Sequence, residues 1–163
     1  MNYKNIEVER LLTDSRKLFT TYGTLFVALR GQRHDGAKYV ADLYARGVRA
    51  FVCHCDFDVR PYPAARFILC DDTTRELQQI AKQKRMMNHG RVVAIVGSNG
   101  KTIVKDWLGE LVGGDMLVVR SPRSYNSQVG VALSLWNIEP ETQLSIIETG
   151  ISEQGEMARL EEI

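Results

Sequence analysis

No apolar run in this chain is long enough to cross a bilayer. The first residues, Met1-Asn2-Tyr3-Lys4-Asn5-Ile6-Glu7, also lack the apolar core of a secretory signal. Both absences set the cytoplasm as the expected location and leave no membrane partner. Charge of one sign is missing too. Lys and Arg number 21 against 20 Asp and Glu, so there is no basic excess to gather on one face for a nucleic acid. Clusters such as Lys82-Gln83-Lys84-Arg85 read as a solvated helix face. Cysteine is scarce, and an odd count of three argues against a disulfide framework. Cys53, Cys55 and Cys70 lie in apolar, strand-like runs and read as small buried hydrophobes. The Cys53-His54-Cys55 triplet makes no metal centre, because on a strand His54 faces away from both cysteines and no second ligand pair follows.

What remains is a chain of 163 residues, 44% hydrophobic and 25% charged, with room for one globular domain or two small ones. Its most informative stretch is Val93-Ala94-Ile95-Val96-Gly97-Ser98-Asn99-Gly100-Lys101-Thr102. Two glycines let backbone N–H groups approach phosphates, the lysine supplies a point charge and the threonine hydroxyl can reach Mg²⁺. Gly97, Ser98, Asn99, Gly100, Lys101 and Thr102 are therefore the candidate nucleotide-binding residues, with Lys101 the candidate catalytic charge. The pattern is the short G-x-x-G-K-T, since Ile95 stands where the full P-loop has glycine. Context strengthens it. Arg91 to Val96 reads as a buried strand, and Ile103, Trp107, Leu108, Leu111 and Val112 recur at helical spacing until Gly113-Gly114. The alternative is a tight strand-to-helix turn with no ligand.

Strands are expected at 25–29, 49–54 and 66–70, with a helix over 37–46 stopped by Gly47. Pro61 and Pro63 make 56–63 a loop. Thr73-Thr74-Arg75-Glu76 has capping-box spacing and opens a helix to Met87, after which Asn88-His89-Gly90 reads as a seam between two units. Further strands at 116–119 and 144–147 flank a helix over 130–136. Alternating β and α segments imply a mostly parallel sheet, whose ligands gather at the carboxyl ends of its strands. Glu148 ends one such strand and is, with Thr102, the candidate Mg²⁺ ligand. The alternative is a glutamate that merely closes a strand.

Several stretches together resemble the ATP-dependent Mur ligases of bacterial cell-wall synthesis. Thr13-Asp14-Ser15-Arg16, Leu25-Phe26-Val27-Ala28-Leu29-Arg30-Gly31 and Asp35-Gly36 look like the UDP-recognising N-terminal domain. The Gly97 to Thr102 loop, Ser124-Tyr125-Asn126-Ser127-Gln128-Val129-Gly130 and Glu148-Thr149-Gly150-Ile151-Ser152 look like landmarks of the central ATPase domain. Lys105 and Gly155-Glu156-Met157 point within the family to the type that adds D-alanyl-D-alanine to UDP-N-acetylmuramoyl-tripeptide. The wording around 12–31 and 121–136 is similar to the version fused to an alanine racemase.

The resemblance implies an α/β chain. A UDP-recognising domain is expected over 1–88, followed by the first part of a P-loop, parallel-sheet ATPase domain over 89–163, truncated and without the family's C-terminal domain. It implies ATP and Mg²⁺ as cofactors and an acyl phosphate on the tripeptide carboxylate, attacked by the amine of D-alanyl-D-alanine. Substrate contacts are expected from Ser15, Arg16, Gly31, Asp35 and Asn126. Asp14-Ser15-Arg16 also reads as an ordinary polar turn, and Asn126 as a residue that orders its own loop. Ile103, Ser127 and Ala132 depart from the family's frequent residues. A fragment of this kind is expected to bind without catalysing, and to self-associate through a truncated sheet edge. Rival readings are a diamino-acid-adding or folate-glutamating relative, a small nucleotide kinase and a non-catalytic binding module.

Overall fold

The computed structural model describes residues 1–31 and 34–163, which form two compact units, Met1–Leu77 and Gln78–Ile163. The first unit begins with a hairpin of β1 (Asn2–Tyr3) and β2 (Ile6–Glu7). Lys4 and Asn5 turn it at φ 47° and 65°, the positive pair that matches the twist of a two-residue hairpin. Then β3 (Arg10–Leu12), β4 (Thr24–Val27), β5 (Ala50–His54) and β6 (Arg66–Cys70) form one four-stranded sheet in sequential order, parallel throughout. The strands alternate. Leu12, Phe26, Ala28, Phe51 and Cys53 join Val40 and Leu43 of α1 (Val40–Ala45) in one buried cluster. All of β4 is buried, as expected of a central parallel strand covered on both faces.

The helix expected over 37–46 starts as a 3₁₀ turn, Gly36–Tyr39, before α1. Asp35 caps that turn by accepting from Ala37 N at 2.8 Å. The helix expected from Thr73 is present as α2 (Thr73–Met86), but the capping box is not. Asp72 Oδ1 accepts from Thr74 N and Arg75 N at 2.8 and 3.0 Å, which frees Thr73 to accept from Arg30 N at 3.0 Å. Glu76 accepts instead from the Tyr3 hydroxyl at 2.8 Å and from Lys4 Nζ at 2.5 Å. Cys55 is exposed rather than buried, because β5 ends one residue earlier. The division between units falls inside α2, whereas the seam was expected at 88–90. The later part of the helix makes hydrogen bonds within the second unit, from Lys84 to Glu139 and from Arg85 to the Ile163 carbonyl.

In the second unit β7 (Arg91–Ile95), α3 (Lys101–Val112), β8 (Val118–Arg120), α4 (Gln128–Trp136), β9 (Leu144–Glu148) and α5 (Glu156–Glu161) follow in turn. The sheet is parallel in the order β7-β9-β8, so β9, the last strand in sequence, is the central one. Residues Ser145 to Glu148 of β9 are buried. Contrary to the sequence expectation, β7 is not buried. It lies at a sheet edge with Val93 39% exposed, and the apolar stripe of α3 points outward, with Ile103, Trp107 and Leu111 at 56, 71 and 78%. The periodicity is there, but among the described residues nothing covers it. No described helix is long and apolar enough to cross a membrane.

Gly36 sits where an added Cβ would lie 2.9 Å from the backbone of Ala28 and Leu29. Gly36→Ala is expected to destabilise the first unit by about 1–3 kcal/mol through overpacking. Urea denaturation of the purified variant measures this, and an unchanged midpoint would refute the close approach.

Candidate functional site

The glycine-rich loop occupies 96–100, between β7 and α3. Gly97 at φ 147° and Gly100 at φ 76° adopt conformations that a side chain disfavours, and Gly100 is the N-cap residue of α3. The free N–H groups and dipole of that helix end therefore face the loop. Lys101 folds back so that Nζ donates to Gly97 O at 2.7 Å. A cleft of about 610 Å³ opens beside it, lined by Gly97, Ser98, Lys101, Asn126, Gly150 and Glu156 among others.

Parallel pairing places a buried carboxylate behind Asn126, which lines the cleft. Ile95, the last residue of β7, is in register with Glu148 at the carboxyl end of β9. Glu148 is 1% exposed. Its Oε2 accepts from Thr102 Oγ1 at 2.8 Å and its Oε1 from Asn126 Nδ2 at 2.8 Å. Its backbone N donates to Ser121 Oγ at 2.9 Å. Thr102, Asn126 and Glu148, drawn from three separate stretches of sequence, thus form one hydrogen-bonded group. Among the described residues no three His, Cys, Asp or Glu side chains gather as a metal cage. A single carboxylate with a hydroxyl suits Mg²⁺, which takes few protein oxygens and completes its shell with water and phosphate. Glu156, on the far wall, accepts from Ser152 N and Glu153 N at 2.6 and 3.0 Å, and these bonds lower its pKa.

In the first unit the candidate residues lie after the carboxyl ends of adjacent strands, Ser15 and Arg16 after β3, Gly31 and Asp35 after β4. Asp14 caps a 3₁₀ turn at Ser15–Lys17. Arg16 is 87% exposed and grips Asp14 through Nε–Oδ1 and Nη2–Oδ2 contacts of 2.9 and 2.8 Å. Ser15 is buried, its carbonyl 3.4 Å from Arg46 Nη1. Gly31 N donates to His34 O at 2.8 Å. Beside these candidates, Arg30 donates to Asp56 Oδ2 at 2.8 Å, and His54 Nδ1 lies 2.8 Å from Asp56 Oδ1. The Arg30–Asp56 pair joins different strand ends and leaves no local signature, whereas His54 and Asp56 lie two residues apart after β5.

The sequence model described as "Mur ligase family, catalytic domain" matches residues 7–85. UDP-N-acetylmuramoyl-tripeptide--D-alanyl-D-alanine ligase of Bacillus subtilis is 32% identical over 155 residues, 95% of this chain and 33% of the relative. The Escherichia coli enzyme of the same name is 32% identical over 154 residues, 94% of this chain and 33% of its own length. Residues 7–85 of this chain carry a Mur ligase family domain. The crystal structure of MurF from Acinetobacter baumannii superposes with a TM-score of 0.82 at 30% identity, covering 94% of this chain and 33% of that one. MurF ligase from Thermotoga maritima in complex with ADP superposes at 0.83 with 26% identity, covering 98% and 36%. The chain spans about a third of the length of the relatives it matches.

Of the departures from the usual Mur ligase residues, Ser127 caps α4 by accepting from Gly130 N at 3.1 Å, Ala132 is buried and Ile103 is exposed on α3. In the Mur ligase first unit, the hydrogen bond and charge of Arg16 hold the Asp14 carboxyl at about 2, against an ordinary 3.8. A depressed carboxylate stabilises the fold above its unfolded pKa, and that contribution disappears as the pH falls through the folded one. The Asp14 carboxyl ¹³C resonance is expected to titrate near pH 2 and to move toward 3.8 in Arg16→Ala. A midpoint that ignores the substitution would show that the pair does not persist in solution.

Proposed function

We propose that this chain is the substrate-recognising first domain and the opening part of the ATP-binding domain of a ligase that adds D-alanyl-D-alanine to UDP-N-acetylmuramoyl-tripeptide. The observation that carries the nucleotide half is the cleft lined by the glycine-rich loop, Lys101 and Asn126, with Asn126 bonded to the buried Glu148 and Glu148 to Thr102. The names of the Bacillus and Escherichia relatives support the substrate half, and ADP in the Thermotoga relative supports the nucleotide.

A carboxylate resists attack by an amine, and ATP converts it to an acyl phosphate with a good leaving group. Lys101, released from Gly97 O, neutralises phosphate charge as a point cation, while the loop N–H groups and the start of α3 hold the phosphate oxygens. Thr102 and Glu148 would hold Mg²⁺, which when bound adds charge neutralisation between the reacting anions. Asn126 holds Glu148 and borders the cleft where the phosphate and tripeptide carboxylate meet. In the first unit Ser15 and Arg16 contact the uridine diphosphate, Arg16 exchanging Asp14 for phosphate, and Gly31 and Asp35 shape the adjoining loop. We keep 1–88 for substrate recognition and 89–163 for ATP binding as a functional division, which differs from the compact units Met1–Leu77 and Gln78–Ile163. We assign the reaction to a cytoplasmic ligase of the kind these relatives name, and binding of both ligands to these 163 residues. The exposed edge of β7 and the outward stripe of α3 make a second copy of this chain their occupant in isolation.

Calorimetric titration separates the two sites. Lys101→Ala is expected to weaken Mg²⁺-ATP by about tenfold or more and to leave UDP-N-acetylmuramoyl-tripeptide unaffected. Arg16→Ala should do the reverse. Binding of the UDP conjugate that is indifferent to Arg16 would overturn the assignment of the first unit. For self-association, sedimentation should show a concentration-dependent dimer that Trp107→Glu dissociates, and a monomer at high concentration would refute it.

A further inference from the structure

Lys105 lies one turn beyond Lys101 on α3 and is 1% exposed. A buried ammonium is tolerated only where its charge and protons are satisfied. Its nearest carboxylates are Asp106 Oδ1 at 3.4 Å and Glu148 Oε2 at 4.0 Å. Its hydrogen bonds go instead to main-chain carbonyls, Ser121 O at 2.9 Å and Arg123 O. Arg123 has φ 51°, a left-handed conformation that residues other than glycine rarely adopt. That strained residue is one of the two whose carbonyls Lys105 holds.

The segment so fastened touches Glu148 at both ends. Ser121 Oγ accepts from Glu148 N at 2.9 Å, and Asn126 Nδ2 donates to Glu148 Oε1 at 2.8 Å. Asn126 O also accepts from Gly150 N at 2.8 Å, tying the segment to the chain just after β9. With Oε1 engaged by Asn126, Oε2 is the oxygen that meets Thr102.

We infer that Lys105 is a positioning residue for the nucleotide cleft. By holding the Ser121 and Arg123 carbonyls it keeps the 121–126 loop in the strained path that brings Asn126 to Glu148, and so presents Glu148 Oε2 beside the Thr102 hydroxyl for a divalent cation. The inference rests on the nucleotide reading above. Lys105 touches neither nucleotide nor metal, which distinguishes it from Lys101.

The test compares ATP binding to the 163-residue chain with and without Mg²⁺. Wild type is expected to gain about tenfold in affinity from Mg²⁺. Lys105→Met should keep its metal-free affinity within about twofold and lose most of that gain. Adding Arg123→Gly, which adopts φ 51° without strain, should restore part of it. If wild type shows the gain and a folded Lys105→Met shows it equally, the inference falls and the nucleotide reading stands. If wild type shows no gain, the nucleotide reading falls and the inference with it. Should Lys105→Met fail to fold, the exchange of the wild-type Lys105 ammonium decides. ¹⁵N-edited spectra should show a slowly exchanging Lys105 ammonium coupled to the Ser121 and Arg123 carbonyl carbons, and a rapidly exchanging ammonium would overturn the inference.

Discussion

A carboxylate almost wholly withdrawn from water at the end of the central strand is the constraint around which the second unit is arranged. Glu148 cannot be buried there without donors for its oxygens, and each donor comes from a different part of the chain, Thr102 from α3 and Asn126 from the loop before α4. Satisfying one side chain thus fixes where a helix starts, where a loop runs and how the glycine-rich turn faces the cleft.

Strand order does the rest. Because β9 inserts between β7 and β8, its tip lies beside the turn that leaves β7, and a residue far along the chain becomes a neighbour of the glycine-rich loop. The first unit follows the same rule with different strands, its candidate residues gathered beyond the carboxyl ends of β3 and β4. Parallel sheets concentrate function at that end because the chain leaves every strand there and returns through helices.

The strand, glycine turn and helix around Lys101 were legible because each has a local code, apolar run, positive-φ glycine and periodic helix, written in adjacent residues. Glu148 was legible from its place at a strand tip. Burial was less so. Val93 and Trp107 have the pattern of core residues, yet burial depends on what packs outside the element, which no window of sequence contains. The helix start near Thr73 was found for the wrong reason, since Asp72 and Thr73 can both cap and the choice is made by Arg30 N, distant in sequence. Lys105 was invisible as a buried group. A lysine on an amphipathic helix reads as solvent-facing, and only the loop folding over it reverses that.

The turn at Asp14 and Arg16 has a consequence for selectivity. An anion that engages the Nε–Nη2 edge of this guanidinium must first displace a carboxylate already bound through two parallel contacts. A ligand offering one oxygen exchanges two charge-assisted bonds for one, while a ligand offering two oxygens at fork spacing exchanges like for like. In the role proposed for Arg16, that edge would favour an anion of forked shape over a free monovalent one.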